Sequence, residues 1–419
     1  MIDIELIRKA PEVVRESLKK RNMEERILDE VIAVDNEWRR TLTDINLMRK
    51  DRNELARAIA SLAGEEREKA ILHTREISNG IARKEEELKA LEERRSYLLA
   101  RVPNVLLPSV PYGRSDDDNV EVKRWGTARA MDFEPKDHVD IGLALDLFDL
   151  ERAAKVSGAR FFYLKNDAVL LEFALVRYAF DILQREGFVP IIPPVLTRES
   201  ALFGTGFLPF GEENIYRIKD EDLCLVGTAE VPLGAMHSNE ILSYKELPKR
   251  YAGFSTCFRT EAGAHGKDTK GIFRVHQFDK IEMFKYCLPE ESESEHEKLL
   301  QTAERFYQGL EIPYRVVSVC SNELGASAAK KYDIEAFMPG QGMYREVVSC
   351  SNCLDYQARR LMIRYRSKDG EIRYVHTLNS TAIAVERTIV AILENYQQKD
   401  GSALVPEALQ PFMGKEMIK

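Results

Sequence analysis

Cys257-Phe258-Arg259-Thr260-Glu261, a polar loop, and then Phe273-Arg274-Val275-His276-Gln277-Phe278-Asp279-Lys280-Ile281-Glu282 decide the architecture of this chain. Both runs have strand composition, and the loop joins them as a hairpin. Alternate side chains of a strand share a face. Arg259 and Glu261 therefore point together, as do Arg274, His276, Phe278, Lys280 and Glu282. The opposite face of the second run carries Val275, Ile281 and Met283, which suit a core, with Gln277 and Asp279 also falling there. A face of cations, an aromatic ring and a carboxylate makes a poor structural strand. It makes a good floor for an anionic, aromatic ligand such as ATP.

Around this hairpin the chain reads as short strands and helices. A helical period over 167–186 precedes an extended, proline-bearing segment, Gly187 to Leu196. Strand-like runs follow at 222–227, 251–259, 272–284, 314–320 and 343–349, and a last helix is expected from near Thr381 to about Gln397. Strands interspersed with helices, including tight hairpins, predict an α+β domain on an antiparallel sheet flanked by helices.

The N-terminal quarter differs. Residues 1–25 suggest a short helix and a connection. From about 28 to 100 glycine and proline are nearly absent, and Val31, Val34, Trp38, Leu42, Ile45, Met48, Leu55, Ile59 and Leu62 recur at steps of three and four. That is the coiled-coil period. Ala63-Gly64 fits a helix C-terminus. A second helix carries Ile77, Ile81, Leu88, Leu91 and Leu98, with Lys84 and Arg95 at seam positions. Two matched runs across a short break predict an antiparallel coiled-coil hairpin, each helix of about 35 residues reaching roughly 50 Å. Pro103, Pro108 and Pro111, Gly113 and the acid run 116–118 read as a linker. The expected domains are 1–108, with the arm over about 28–100, and 109–419.

The 419 residues, 44% hydrophobic and 31% charged, fit a soluble globular protein of two or three domains. No run is apolar enough for a membrane span, and the first residues lack the apolar core of a secretory signal. Six cysteines make no disulfide scaffold, so a reduced, cytoplasmic setting is expected. The net charge of −8 argues against non-specific nucleic-acid binding. Residues 31–100, however, balance basic against acidic side chains and could meet a phosphate backbone. There is no GxxxxGK[ST] loop and no GxGxxG after a strand, so ATP would be held by scattered groups on strands. Cys350-Ser351-Asn352-Cys353 has CxxC spacing, but no second pair supplies further ligands; zinc is not expected.

Several motifs carry a resemblance. Phe258-Arg259-Thr260-Glu261 with its loop and Phe278 looks like motif 2 of the class II aminoacyl-tRNA synthetases. The helix and strand leading to Pro193-Pro194 look like motif 1, and Asn379-Ser380-Thr381-Ala382-Ile383-Ala384-Val385-Glu386-Arg387 looks like motif 3. Within that class, Thr228-Ala229-Glu230-Val231-Pro232-Leu233, the run from Cys350 to Arg360, Leu393-Glu394-Asn395-Tyr396-Gln397, the ending from Val405 to Gly414 and the helical arm resemble the seryl-tRNA synthetase family of the non-methanogenic type. The resemblance spans essentially the whole chain.

It implies a ligase that activates L-serine with ATP to seryl-adenylate and transfers serine to the 3′ end of tRNA(Ser), and to tRNA(Sec) where that tRNA exists. Arg259 would hold the α-phosphate, a task suited to a planar fork of donors. Phe278 would stack under adenine, Glu261 would contact the adenine end, and Thr260 and the backbone of Val275 would help place ATP. Arg387 would clamp the γ-phosphate from the last helix. Glu346, Val347, Val348 and Ser349 would line the ATP site, with Glu346 and Ser349 as oxygen ligands of Mg²⁺. Strict alternation puts positions 346 and 349 on opposite faces, so a bulge or strong twist is required. Thr228, Ala229, Glu230, Glu282 and Thr381 would bind serine, the carboxylates taking the ammonium and the threonines the hydroxyl. The family pattern usually has glycine before the motif 3 arginine, where this chain has Glu386; its side chain is expected to face away from ATP. The loop 262–271, with His265, Lys267 and Lys270, would meet the tRNA acceptor end. The arm would recognise tRNA by shape and backbone, and motif 1 would form a homodimer interface. Three rival readings are a carrier-protein ligase on the same core, which should lack the long arm, a degenerate paralogue, which should have lost Arg259, Glu261, Glu346 or Arg387, and a coiled-coil structural protein, which leaves residues 112–419 unexplained.

Overall fold

The computed structural model describes residues 1–262 and 270–419, so His265 and Lys267 lie outside the described residues. The chain folds as two compact units, Ile2–Pro103 and Asn104–Lys419 with Met1. The division comes slightly earlier than the expected boundary after residue 108, because the proline-bearing segment is not a free linker. Asn104 N–H donates to the Ala326 carbonyl and Leu107 N–H to that of Ala329, while Leu106 and Val110 pack with Val319, Leu324 and Ala328.

In the first unit, helices α1 (Ile4–Lys9) and α2 (Pro11–Lys20) precede the long pair α3 (Arg26–Ile59) and α4 (Gly64–Leu99). The expected single short helix is two, because Pro11 opens a second one at a position where its missing N–H costs nothing. Leu28, Val31, Val34 and Ile45 of α3 and Ile81, Leu91 and Leu98 of α4 are buried, as the apolar period predicts. Gly64 does not end the first helix. It starts the second, at a φ of +56° that suits glycine, after α3 has ended at Ile59. Both polar seam residues find acids: Lys84 Nζ lies 2.9 Å from Asp44 and Arg95 Nη1 lies 3.0 Å from Asp35.

The second unit is built on eight strands: β1 (Val120–Trp125), β2 (Val189–Ile191), β3 (Lys249–Phe258), β4 (Gln277–Cys287), β5 (Tyr314–Ser318), β6 (Lys330–Met338), β7 (Met343–Asn352) and β8 (His376–Ala384). They form one sheet in the order β1-β5-β6-β7-β8-β4-β3-β2, antiparallel except for the parallel pair β2–β3. Its helices include α5 (Asp167–Arg185), α6 (Glu230–Ala235), α7 (Ser292–Gly309), α8 (Tyr356–Leu361) and α9 (Val385–Tyr396). One sheet face is closed by α5, α7 and α9. Leu171 and Leu175, Leu299 and Phe306, and Ile389 and Val390 pack there against Ile281, Met283, Ile334 and Leu378.

The hairpin is present as β3–β4, with Cys257 opposite Phe278 and Phe258 opposite Gln277. The second run is shorter than expected. Regular strand begins only at Gln277, since His276 N–H goes to the Arg160 carbonyl and the His276 ring packs by Phe161. His276 is thereby turned out of the row formed by Phe278, Lys280 and Glu282. The last helix also differs. Thr381 belongs to strand β8, and α9 starts at Val385, because pairing with β4 continues to Ala384 opposite Lys280. Strands β6 and β8, both central, were absent from the expected list.

Candidate active site

On the sheet face opposite the helices lies a cavity of about 630 Å³. Even-numbered residues of β4 form its floor, with Phe278, Lys280 and Glu282 side by side. Two bulges shape the neighbouring strands. In β7, Ile334 faces Val348 but Glu335 faces Glu346, leaving Val347 as the extra residue. This brings Glu346 and Ser349 onto the cavity wall together, as their assignment to one site requires. In β8, Thr381 faces Glu282 while Ile383 faces Ile281, so Ala382 is the extra residue and Asn379 and Thr381 both reach the cavity.

Arg259 leaves the end of β3 and donates from Nε to the Gly227 carbonyl at 3.1 Å, with its guanidinium 5.1 Å from the Phe278 ring centroid. Glu261 turns back at a φ of +50°, and its carboxylate takes Arg274 Nη1 at 3.1 Å. Arg387, in the first turn of α9, donates from Nη1 to the Glu346 carbonyl at 2.9 Å and carboxylate at 3.1 Å, and from Nε to the Phe273 carbonyl. Desolvation by the surrounding cavity wall opposes ionisation of the half-exposed Glu346, but Arg387, Lys331 and Arg259 hold its carboxyl below the usual range. An ionised carboxylate and a hydroxyl on one wall are a donor set that suits Mg²⁺.

The other end of the cavity is a small polar pocket. Glu230 is buried, accepting from Gln357 Nε2 at 2.8 Å and Asn379 Nδ2 at 2.9 Å. Both donors are neutral. Burial first, and the nearby Glu282, push its pKa up to about 7. Glu282 differs: it already has a cation, Lys280 Nζ at 2.5 Å, and accepts from Thr228 Oγ1 at 3.4 Å. Of the two carboxylates expected to meet an ammonium, Glu230 is the one whose hydrogen-bond partners carry no charge.

Arg259, Glu261, Val275, Phe278, Glu346, Val347, Ser349, Arg387, Thr228, Glu230, Glu282 and Thr381 thus come together on one cavity wall. Three expected residues do not. The Thr260 hydroxyl turns to the Glu213 carbonyl, Val348 faces the helix-side core, and Ala229 packs under β3 against Gly253. Glu386 was expected to face away from ATP; it borders the cavity, and its carboxylate binds the Asp279 N–H. Lys331, Asn379 and Gln357 were not singled out. Asn379 and Gln357 stand inside quoted motifs, but only the folded geometry, a strand for Asn379 and helix α8 for Gln357, shows that both aim at Glu230. Among the described residues no group of three His, Cys, Asp or Glu side chains is arranged to hold a metal ion, and Cys350 and Cys353 are buried thiols with raised pKa values.

Known proteins match along the whole chain. The model of the seryl-tRNA synthetase N-terminal domain matches residues 1–106, and that of the class II tRNA synthetase core domain (G, H, P, S and T) matches 215–396. A serine–tRNA ligase of Dictyoglomus turgidum is 49% identical over 100% of this chain and 99% of its own. The crystal structure of seryl-tRNA synthetase from Pyrococcus horikoshii complexed with ATP superposes with a TM-score of 0.97 at 48% identity, covering 100% of this chain and 99% of that one. The cytoplasmic serine–tRNA ligase of Naegleria fowleri in complex with AMP gives 0.91 at 37% identity, with 100% and 99% covered. With its arm, its bulged sheet and its polar cavity, the chain belongs to the seryl-tRNA synthetase family.

Proposed function

We propose that the chain is an ATP-dependent serine–tRNA ligase that forms seryl-adenylate and then seryl-tRNA, releasing diphosphate and AMP. The observation that supports this best is the convergence of two arginines, an aromatic ring and a buried carboxylate without a cationic partner in one cavity. Adenine stacks on Phe278, near Glu261 and the Val275 backbone. Arg259 takes the α-phosphate and Arg387 the γ-phosphate. The serine ammonium meets Glu230 and Glu282, and its hydroxyl meets Thr228 and Thr381. A pocket whose polar groups need that hydroxyl rejects alanine, because they would be left unpaired.

The serine carboxylate attacks the α-phosphorus in line, and diphosphate leaves with the bonding pair. The terminal hydroxyl of tRNA then attacks the seryl carbonyl, and AMP leaves. No side-chain nucleophile takes part. The protein contributes alignment and fixed positive charge where negative charge accumulates. Mg²⁺, held by Glu346 and Ser349, would neutralise phosphate charge when bound.

The helical unit serves tRNA(Ser), and tRNA(Sec) where present, through backbone and shape. A homodimer suits the exposed apolar side chains Phe173 on α5 and Ile192 and Val195 beyond β2. Among the described residues no helix is long and apolar enough to cross a membrane, and a cytoplasmic setting accords with the six free thiols. Amino-acid-dependent ATP–diphosphate exchange with all twenty amino acids, followed by charging of tRNA(Ser), tests the assignment. Serine alone should support both; stronger exchange with glycine or alanine would overturn it.

A further inference from the structure

Glu386 is a buried carboxyl on the second residue of α9, directly before Arg387. Both of its oxygens stand 3.0 Å from the Asp279 N–H. The register explains why. Pairing of β8 with β4 ends at Ala384 opposite Lys280, and the chain then turns into helix. The Asp279 N–H, one position further on, has no strand carbonyl to meet, and a buried orphan donor is costly. The Glu386 side chain supplies the missing acceptor.

This bond joins two parts of the cavity. Asp279 follows Phe278 and Glu386 precedes Arg387, so it ties the aromatic floor to the helix that carries the guanidinium. We propose that Glu386 is a positioning residue for ATP, setting the gap between Phe278 and Arg387 through its bond to the Asp279 backbone. The inference rests on the reading of those two residues as the adenine and γ-phosphate contacts.

The surroundings of Glu386 are acidic. Asp279 faces it from β4 and Glu172 from α5, Ala384 of β8 carries no charge, and Lys280 points to the other face of its strand. Burial, and then Asp279, raise the Glu386 carboxyl far above its ordinary value, and burial with Asp279 raises Glu172 as well. Asp279 Oδ1 has no hydrogen-bond partner, and the Glu172 carboxyl lies beside the Asp279 side chain. Glutamine is a near isostere of Glu386 and keeps an acceptor oxygen for the Asp279 N–H.

Kinetics of serine-dependent exchange test this. Glu386→Ala should raise the KM for ATP about tenfold, the value of one hydrogen bond at its upper range, with the KM for serine within about twofold. Glu386→Gln should restore the ATP KM, because its amide oxygen can still accept from the Asp279 N–H. Amide hydrogen exchange at Asp279 should quicken in Glu386→Ala and stay slow in Glu386→Gln, a readout available even if activity is low. An unchanged ATP KM in Glu386→Ala, an equal rise for serine, or a Gln variant no better than Ala would overturn the proposal. Phe278→Ala and Arg387→Ala are run beside it. If they leave the ATP KM unchanged, the underlying site assignment fails; if they raise it and Glu386→Ala does not, only the positioning role fails.

Discussion

Arg387 Nη1 and Glu346 Oε1 stand 3.1 Å apart, joining the first turn of the last helix to the bulged strand β7. The guanidinium proposed for the γ-phosphate is held by the carboxylate proposed for the cation. Binding of ATP must exchange this contact for phosphate contacts, so the pair preorganises Arg387 without contributing much stability; about half of the Glu346 side chain remains open. Arg387→Ala should lower kcat/KM for ATP by about 10²–10³-fold, as expected for loss of one charged donor to the departing diphosphate. Arg387→Lys should recover little, because an ammonium lacks the fork. Steady-state exchange decides this: recovery by lysine to near wild type would exclude a bidentate role.

The acidic limb of serine use should belong to Glu230. Only the ionised carboxylate pairs with an ammonium, and burial sets its folded pKa at about 7. As pH falls through 7, kcat/KM for serine should decline while that for ATP changes less. Glu230→Gln should lose serine affinity at all pH values and flatten the limb. The stability sign runs the other way. A carboxyl whose folded pKa lies above its ordinary value of 4.5 favours folding below 4.5, and that contribution is lost as pH rises through 7. Glu230→Gln should therefore raise Tm at pH 8 relative to wild type. A limb unchanged in the glutamine variant would assign it to another group.

The hairpin β3–β4, the α3–α4 pair and the helix α5 were legible because each repeats a period over many residues. The gathering of Arg259, Phe278 and Arg387 at one cavity was legible too, since the motifs around them are specific. What escaped was set by non-local pairing. Strand β8 was read in part as helix because Thr381-Ala382-Ile383-Ala384 suits either state, and only its ladder with β4 decides. The bulge at Val347 has no local signature, although the need for it followed from placing Glu346 and Ser349 in one site. The bond of Glu386 to Asp279 escaped because helix geometry alone ignores the unmet N–H of a neighbouring strand. Thr260 and Ala229 sit inside true motifs, yet their side chains serve the Glu213 carbonyl and the core.

Asp35 links stability to the separate task of the helical unit. Its carboxylate takes Arg8 through two bonds of 2.7 and 2.8 Å and Arg95 at 3.0 Å, and Arg95 in turn stacks 4.0 Å from the Trp38 ring. Burial works against the charged carboxylate, but the two guanidinium groups hold its pKa below the usual range. The contribution is thus present above an ordinary pKa of 3.8 and lost as pH falls through the lower folded value. Removing the acid would leave two partly buried cations facing each other, which costs about 3 kcal/mol when buried fully and less here because both arginines keep some water. Asp35→Ala should therefore lower the unfolding midpoint of the helical unit and the rate of tRNA charging, while serine-dependent exchange stays within about twofold. Deleting residues 32–98 should have the same split in stronger form. Circular dichroism melting read beside the two assays separates the outcomes, and equal loss of exchange and charging would refute a division of labour between the units.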